Sequence, residues 1–180
     1  MITTNKEIEL KTMVTAEQFS KILNYYPGNN SFIQINHYYH SLNKPSSYFR
    51  LREINNSWLF TYKERLIDGR LEYEKKLNSP DLNDPDLIEQ LSKWGIIPPF
   101  IEASQLITER TEIILPDEAH LCFDHNRYAN IEDYEIEYEF CGTLASKFRF
   151  EKILSQADII YVPSVASKMK RALMSLNLPQ

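Results

Sequence analysis

Glycine and cysteine are both scarce in this sequence, with four glycines and two cysteines among 180 residues. No glycine stands in a GxxxxGK or GxGxxG pattern, which excludes a glycine-rich loop that binds phosphate at a helix N-terminus. Any phosphate must therefore be bound by side chains. Cys122 and Cys141 have no CxxC spacing, so neither a cysteine zinc site nor a disulfide framework is expected.

Positive charge and long apolar runs are also in short supply. Lys and Arg number 20 against 25 Asp and Glu, which gives a net charge of −5. A generic nucleic-acid coat would be basic, so we expect no nucleic-acid partner. No run is long enough to span a membrane and no signal peptide is evident, so we expect no membrane partner and a cytoplasmic location. The length fits one domain, residues 1–180.

The stretch from Lys6 to Lys11 shows the most informative pattern that is present. Charged and apolar residues alternate there with period two, which is typical of a strand. Glu7, Glu9 and Lys11 then share one face, and the two carboxylates lie about 7 Å apart along the strand. Such a face can hold a divalent cation with an anion beside it. On its own, the same pattern usually marks the solvated side of a sheet.

Similar alternation returns along the chain and predicts an α+β fold. The predicted strands are Lys6–Lys11, Phe32–Leu42, Tyr48–Ile54, Trp58–Arg65, Leu71–Leu77, Glu102–Leu115, His120–Tyr128 and Asn130–Cys141. Short turns favour antiparallel pairing, and eight strands are enough to close a barrel. Helical patterns cover 15–26, 84–95, 144–157 and 164–176, the last with Ser164 as its N-cap. We predict an eight-stranded antiparallel β-barrel, or tunnel, with helices packed outside.

Nearly every predicted strand has one face that carries charge and one that is apolar or aromatic. The helices need the apolar faces to pack against, so the charged faces must point into the lumen. Buried charges are costly unless they are hydrated, paired or liganded. Carboxylates suit a hard cation, and Arg and Lys suit phosphate oxygens. Together they predict a metal-dependent phosphoryl-transfer site. The same charges include Glu72 and Glu74, which could simply pair with neighbouring bases.

The ordered set of motifs resembles the CYTH superfamily, the triphosphate tunnel metalloenzymes. The motifs are Glu7-Ile8-Glu9-Leu10-Lys11, Tyr38-Tyr39, Arg50-Leu51-Arg52, Thr61-Tyr62-Lys63, Arg110, Leu121-Cys122-Phe123-Asp124, Glu135-Ile136-Glu137-Tyr138-Glu139 and Ser167-Lys168. Asp124 to Tyr128 followed by Asp133-Tyr134-Glu135 is similar to small CYTH proteins of the Firmicutes. The resemblance implies an eight-stranded tunnel with helices outside.

The resemblance also implies a role for each position, with Mg²⁺ or Mn²⁺ as the cofactor. The implied metal ligands are Glu7, Glu9, Asp124, Glu135, Glu137 and Glu139, and spacing does not rank the last three. The implied substrate-binding bases are Lys11, Arg50, Arg52, Lys63, Lys76, Arg110 and Lys168. The implied catalytic residues are Glu7, Glu9, Lys11 and Glu137. The four histidines lack metal-ligand spacing and are assigned to the surface or to strand packing.

Three functions remain open at this point. The first is a metal-dependent hydrolase of inorganic, nucleoside or other organic triphosphates. The second is a class IV adenylate cyclase, and the third is a polyphosphate or nucleotide sensor without turnover. We favour the hydrolase, because no sequence feature marks a pocket for a base and because the set of acids is complete. The expected partner is a polyphosphate or a triphosphate-containing small molecule, and the protein is expected to be a monomer or homodimer.

Overall fold

A computed structural model describes residues 3–7, 9–27, 29–66, 69–116, 118–140, 144–164 and 166–176. These residues form nine strands and four helices. The elements are β1 (Thr3–Glu7), β2 (Glu9–Val14), α1 (Ala16–Leu23), β3 (Ser31–Ser41), β4 (Lys44–Ile54), β5 (Ser57–Leu66), β6 (Gly69–Leu77), α2 (Pro85–Lys93), β7 (Phe100–Ile114), β8 (His120–Tyr128), β9 (Ile131–Glu139), α3 (Leu144–Ser155) and α4 (Lys168–Ser175).

All nine strands belong to one antiparallel sheet in the order β1-β6-β5-β4-β3-β7-β8-β9-β2. The predicted first strand is divided in two, because its first segment pairs with β6 and its second with β9. Glu7 lies opposite Arg70, and Glu9 lies opposite Glu139. Glu7 and Glu9 are only two residues apart, so chain connectivity brings the two edges of the sheet together. The antiparallel, tunnel-like fold predicted from the sequence is therefore confirmed.

Local chemistry accounts for where the helices begin. α1 has a complete capping box. The Thr15 side chain accepts a hydrogen bond from the Gln18 backbone N–H, and the Gln18 side chain accepts one from the Thr15 backbone N–H. Asp84 caps α2 with Pro85 in its first turn. The prediction that Ser164 caps the last helix is wrong. Ser167 is the N-cap of α4, and the Ser164 backbone N–H donates instead to the Lys11 carbonyl at 2.9 Å.

Helices α1 to α3 cover the apolar outer face of the sheet in two clusters. α1 and α3 pack over β8 and β9, around buried Phe123, Tyr138 and Phe150. α2 places Leu87 and Leu91 against the outer side chains of β4 and β5. Full burial of a side chain of this size contributes about 1.5–3 kcal/mol. This burial fixes which face of each strand points inward.

Helix α4 packs against the inner face of the sheet. Its Met169 and Ala172 contact a cluster that includes buried Leu106, Tyr38 and Tyr128. Leu106 alternates in phase with Thr108 and Arg110 on β7, so these contacts lie on the side of the sheet that carries the charges. The first residue of α4 is thereby brought into the lumen. No described helix has the length and apolar character needed to cross a membrane.

Candidate metal and anion site in the tunnel

The inner face of the sheet carries two groups of charged side chains. The first, here called the acidic wall, comes from β2, β7, β8, β9 and α4. It consists of Glu9, Lys11, Arg110, Asp124, Asp133, Glu135, Glu137, Glu139, Lys168 and Arg171. The second, here called the basic wall, comes from β4, β5 and β6. It consists of Arg50, Arg52, Lys63, Lys76, Glu72 and Glu74.

Arg110 is the centre of the acidic wall and is only 7% exposed. Its Nε and one terminal nitrogen each donate to Asp124 at 2.7 Å, and that terminal nitrogen also donates to Glu137 at 2.6 Å. Burial opposes the guanidinium charge, but the charge and hydrogen bonds of Asp124 outweigh it and raise the pKa of Arg110. Arg110 therefore stays charged and fixes both carboxylates in place.

Lys168 completes this cluster from the start of α4. Its Nζ lies 2.7 Å from Asp124 Oδ2, 2.9 Å from Glu135 Oε2 and 2.7 Å from Glu137 Oε1. These carboxylates offer oxygens that all lie within 4.8 Å of one another. Burial by itself would raise the pKa of Glu137, but the charges of Lys168, Arg110 and Lys11 outweigh it and hold that pKa well below its usual value.

A second carboxylate group lies next to the first and shares Glu137 with it. Glu9, Glu137 and Glu139 also offer oxygens within 4.8 Å of one another. Glu9 and Glu139 are register partners across β2 and β9. Lys11 Nζ lies 2.7 Å from Glu9 Oε1 and 3.7 Å from Glu137 Oε1. The side chain of Glu7, predicted to belong here, lies outside what the structure describes.

Arg171 and Asp133 belong to the acidic wall but were absent from the predicted site. Arg171 Nε lies 2.9 Å from Asp133 Oδ2, and a terminal nitrogen lies 3.1 Å from Glu135 Oε2. The spacing in the sequence points to Arg171, because it follows Lys168 by three and residues three apart on a helix share a face. Tyr128 Oη also donates to Asp133. Arg171 therefore holds α4 against β9.

The basic wall has a different balance of charge. An Arg50 terminal nitrogen donates to Thr61 Oγ1 at 2.9 Å and lies 3.6 Å from Glu72 Oε1. Lys63 Nζ lies 3.2 Å from the same Glu72 oxygen. Glu74 accepts from Thr61 at 3.5 Å, and burial, followed by the charge of Glu72, raises its pKa.

Arg52 differs from Arg50 and Lys63 of the basic wall, which both contact Glu72. Its Nε donates to Asn36 Oδ1 at 2.8 Å. Among the side chains described, no carboxylate lies within 4 Å of its guanidinium. Burial, then the charges of Arg50 and Arg110, lower its pKa to about 9, so Arg52 is still protonated at neutral pH. A charged guanidinium with other guanidinium groups nearby and no carboxylate contact is a good site for an anion.

The two walls differ in the sign of their excess charge. Counted as ionised, six carboxylates of the acidic wall contact four cations, leaving two negative charges in excess. The described part of the basic wall has four cations and two carboxylates, leaving two positive charges. Arg110 and Asp124 of one wall are close enough to shift the pKa of Arg52 on the other. One lumen can thus take a divalent cation and a polyanion side by side.

Lys76, predicted to bind triphosphate, is exposed at one end of the basic wall. With Thr3, Leu59 and Glu74 it lines a cavity of about 240 Å³. The histidines lie in other contacts. His37 Nδ1 is 2.8 Å from Glu102, and His120 Nδ1 is 2.9 Å from Glu112.

Comparisons with known proteins agree with this architecture. The family model of the CYTH domain matches residues 5–173. A relative from Bacillus subtilis (strain 168), named "Putative triphosphatase YjbK", is 30% identical over 166 residues, which is 85% of this chain and 87% of the relative.

Solved structures show the same fold. A Bacillus halodurans protein described as "a putative adenylate cyclase" has a TM-score of 0.77 at 29% identity, with 93% of this chain and 97% of that one covered. A Hippeastrum protein described as a "Putative adenylyl cyclase" with "a dominant triphophatase activity" has a TM-score of 0.75 at 19% identity, over 96% and 97% of the two chains. Since the family model spans nearly the whole sequence, this chain belongs to the CYTH family.

Proposed function

We propose that this protein is a divalent-metal-dependent hydrolase of triphosphate-containing compounds. The observation that carries the proposal is the separation of charge in the lumen, where an acidic wall with excess negative charge adjoins a basic wall with excess positive charge. Membership of the CYTH family and the name of the Bacillus subtilis relative support the same activity.

The donor set fits a hard divalent cation. Glu9, Glu137 and Glu139 supply carboxylate oxygens close enough to share one ion, and such oxygens are what Mg²⁺ and Mn²⁺ prefer. The neighbouring group of Asp124, Glu135 and Glu137 already surrounds the Lys168 ammonium. We therefore assign the ion to Glu9, Glu137 and Glu139. Glu7 is a further ligand implied by its place in the motif. A bound ion would supply Lewis-acid chemistry there, toward phosphoryl oxygens and water.

The cations of this chain would bind and orient the substrate. Arg52 and Arg50 offer guanidinium groups that match phosphate oxygens, and neither is held by a short carboxylate contact. Lys11 lies beside the carboxylates of Glu9 and Glu137, where it can stabilise charge that develops on the transferred phosphoryl group. Arg110 and Lys168 keep the carboxylates ionised and fixed. We assign water as the nucleophile, because no serine or histidine in the described lumen is paired with a base as a nucleophile would require.

The cyclase alternative is favoured by the name of the Bacillus halodurans protein, which is 29% identical to this chain. The two activities give different products from ATP. A hydrolase releases orthophosphate, whereas a cyclase releases pyrophosphate and a cyclic nucleotide. Product analysis therefore decides between them in the same assay.

The test is phosphate release from inorganic triphosphate and ATP with Mg²⁺, Mn²⁺ or EDTA. We expect release with metal, none in EDTA, and a loss of about tenfold or more in Glu9→Gln, since even outer-shell partners of a metal are worth that much. Excess metal should recover part of the loss, because the remaining carboxylates bind the ion more weakly. Glu89→Gln, an exposed change on α2, is the matched control. Undiminished turnover in EDTA, or normal metal dependence in Glu9→Gln, would show that these carboxylates are not the metal site.

A further inference from the structure

Asn36 is a buried polar side chain that the proposed function leaves without a role. It lies on the inner face of β3 and is fully buried. Its register partners are Arg52 on β4 and Leu106 on β7. Side chains directly opposite one another in an antiparallel sheet are about 5 Å apart at Cβ, so strand pairing brings this amide to Arg52. A buried amide is costly unless its polar atoms are hydrogen-bonded, so its partners define what it does.

Both ends of the Asn36 amide have a partner. Nδ2 donates to the Leu106 carbonyl at 3.4 Å, and Oδ1 accepts from Arg52 Nε at 2.8 Å. The first contact turns the amide oxygen toward the guanidinium. Among the described residues, neither terminal nitrogen of Arg52 has a hydrogen-bond acceptor. Asn36 therefore holds the guanidinium by Nε alone and leaves both terminal nitrogens for another acceptor.

The group that holds Arg52 is uncharged, and in this the basic wall differs from the acidic wall. Arg50 likewise donates to a neutral oxygen, the Thr61 hydroxyl at 2.9 Å. In the acidic wall, Arg110 and Arg171 donate to carboxylate oxygens, with shortest distances of 2.6 Å and 2.9 Å. A carboxylate offsets the charge of the guanidinium that it holds, whereas an amide or hydroxyl oxygen does not. Arg52 is thus fixed in direction without losing its positive charge to a partner.

Resting on the proposed function, we infer that Asn36 is a positioning residue, which orients the Arg52 guanidinium for a phosphate group of the substrate. A guanidinium is planar, so a bond to Nε also sets the plane in which the terminal nitrogens meet phosphate oxygens. Because the side chain is restrained before substrate arrives, less conformational freedom is lost on binding. The neutrality of the amide is part of this role, since a charged acceptor at the same place would compete with phosphate.

The first test is a double-mutant cycle of Asn36→Ala and Arg52→Ala. The dissociation constant of inorganic triphosphate is measured by calorimetry in EDTA, so that binding is read without turnover. Asn36→Ala should bind triphosphate about 3- to 10-fold more weakly, because a freed guanidinium must be ordered on binding. In the Arg52→Ala background the same change should have less than about a twofold effect, since no guanidinium remains to be positioned. Equal losses in the two backgrounds, or a loss in neither, would overturn the positioning role.

Asn36→Leu repeats the cycle with a side chain of closer size, so a poorly folded Asn36→Ala does not leave the question open. Melting temperatures of all variants identify those that are folded. The dissociation constant of Mn²⁺ without triphosphate should stay within about twofold of wild type in both Asn36 variants, because Asn36 contacts no carboxylate of the acidic wall within the described structure. A parallel loss of Mn²⁺ binding would indicate general disturbance of the tunnel and would also overturn the positioning role.

The second test replaces the neutral acceptor by a charged one in Asn36→Asp. This change keeps an oxygen that Arg52 Nε can donate to, but it adds a negative charge beside the guanidinium. Triphosphate binding should weaken about tenfold or more, and by more than in Asn36→Ala. Asn78→Asp makes the same change at an exposed position after β6 and should alter the affinity by less than about twofold. Wild-type affinity in Asn36→Asp would show that the acceptor need not be neutral.

These outcomes separate from those of the proposed function. If the wild type binds triphosphate but releases no phosphate with Mg²⁺ or Mn²⁺, and the cycle is non-additive as expected, the hydrolase proposal fails and the role of Asn36 stands. If phosphate is released and the losses in the cycle are equal, the hydrolase stands and the role of Asn36 fails.

Discussion

Replacing Lys168 by Met removes a single positive charge from the most crowded part of the lumen. The ammonium lies within 2.9 Å of oxygens from Asp124, Glu135 and Glu137, and the side chain is 12% exposed. Methionine keeps the length and the contact with the inner face but leaves three carboxylates near one another. Breaking a buried ion pair in this way costs about 3–5 kcal/mol. For a chain of this size, that corresponds to a melting temperature lower by roughly 10 °C.

The loss of unfolding free energy is measured by denaturant unfolding at pH 7. One series contains EDTA and the other contains Mg²⁺ or Mn²⁺. Lys147→Met is the matched control, because Lys147 is 59% exposed and lies 3.7 Å from Glu151 on the surface of α3. An exposed pair of this kind contributes about 0–1 kcal/mol. Divalent metal should recover part of the loss in Lys168→Met, since the three carboxylates left behind are grouped closely enough to hold an ion.

The pH dependence of the loss follows from the carboxyl groups. The pKa values of Glu137 and Asp124 are held down in the folded state by the charges around them, Lys168 included, against the opposing effect of burial. A lowered pKa contributes stability that is present above the unfolded value, near 4, and lost as pH falls through the folded value. The difference in unfolding free energy between wild type and variant should therefore be largest at pH 7 and become smaller below about pH 4. A loss of stability equal to that of Lys147→Met would refute the reasoning. So would a loss that depends on neither pH nor metal.

Two further changes have expected outcomes of their own. Arg52→Ala should weaken inorganic triphosphate binding by about 10- to 100-fold, the worth of charge-assisted hydrogen bonds, without lowering the melting temperature, because its neighbours are two other arginines. Calorimetry checks this against Lys93→Ala on the surface of α2, and unchanged affinity would count against Arg52 as a phosphate ligand. Thr15→Ala should cost about 1 kcal/mol in unfolding free energy by removing the capping box, while Thr15→Ser should keep most of it. Equal losses in the two variants would argue against the cap.

The sequence allowed most of the fold to be predicted, because alternation decides which side chains share a face. Period-two alternation puts Arg50 and Arg52 on the face opposite Phe49 and Leu51, and in the structure the two apolar residues are buried under α2. The same argument points the charged faces of the strands into one lumen, and Arg110 and Glu137 are in contact there at 2.6 Å. Alternation needs no knowledge of partners, so it holds wherever one face of a strand must be covered.

What the sequence could not supply was the choice of partner for each group. The change of pairing between β1 and β2 depends on β6 and β9, which are distant in sequence. Ser164 and Ser167 are equally good N-caps by residue type, and tertiary contact with Lys11 decides between them. The roles of the six predicted metal ligands and seven predicted bases remain predictions. The structure adds that Lys168 and Arg110 are held by carboxylates, whereas Arg52 is not.

The division of the first predicted strand into β1 and β2 also has a consequence for how the protein is made. Thr3 pairs with Glu74 and Glu9 pairs with Glu139, so the two segments close loops of roughly 70 and 130 residues. During synthesis, β2 leaves the ribosome long before β9 exists. Until then, the backbone N–H and C=O groups of β2 that bond to β9 have no strand partner. Contacts this far apart in sequence form slowly, and both edges of the sheet stay open to other chains until they do. The segment that carries Glu9 is therefore a candidate part of the active centre. It also pairs with β9 late in folding.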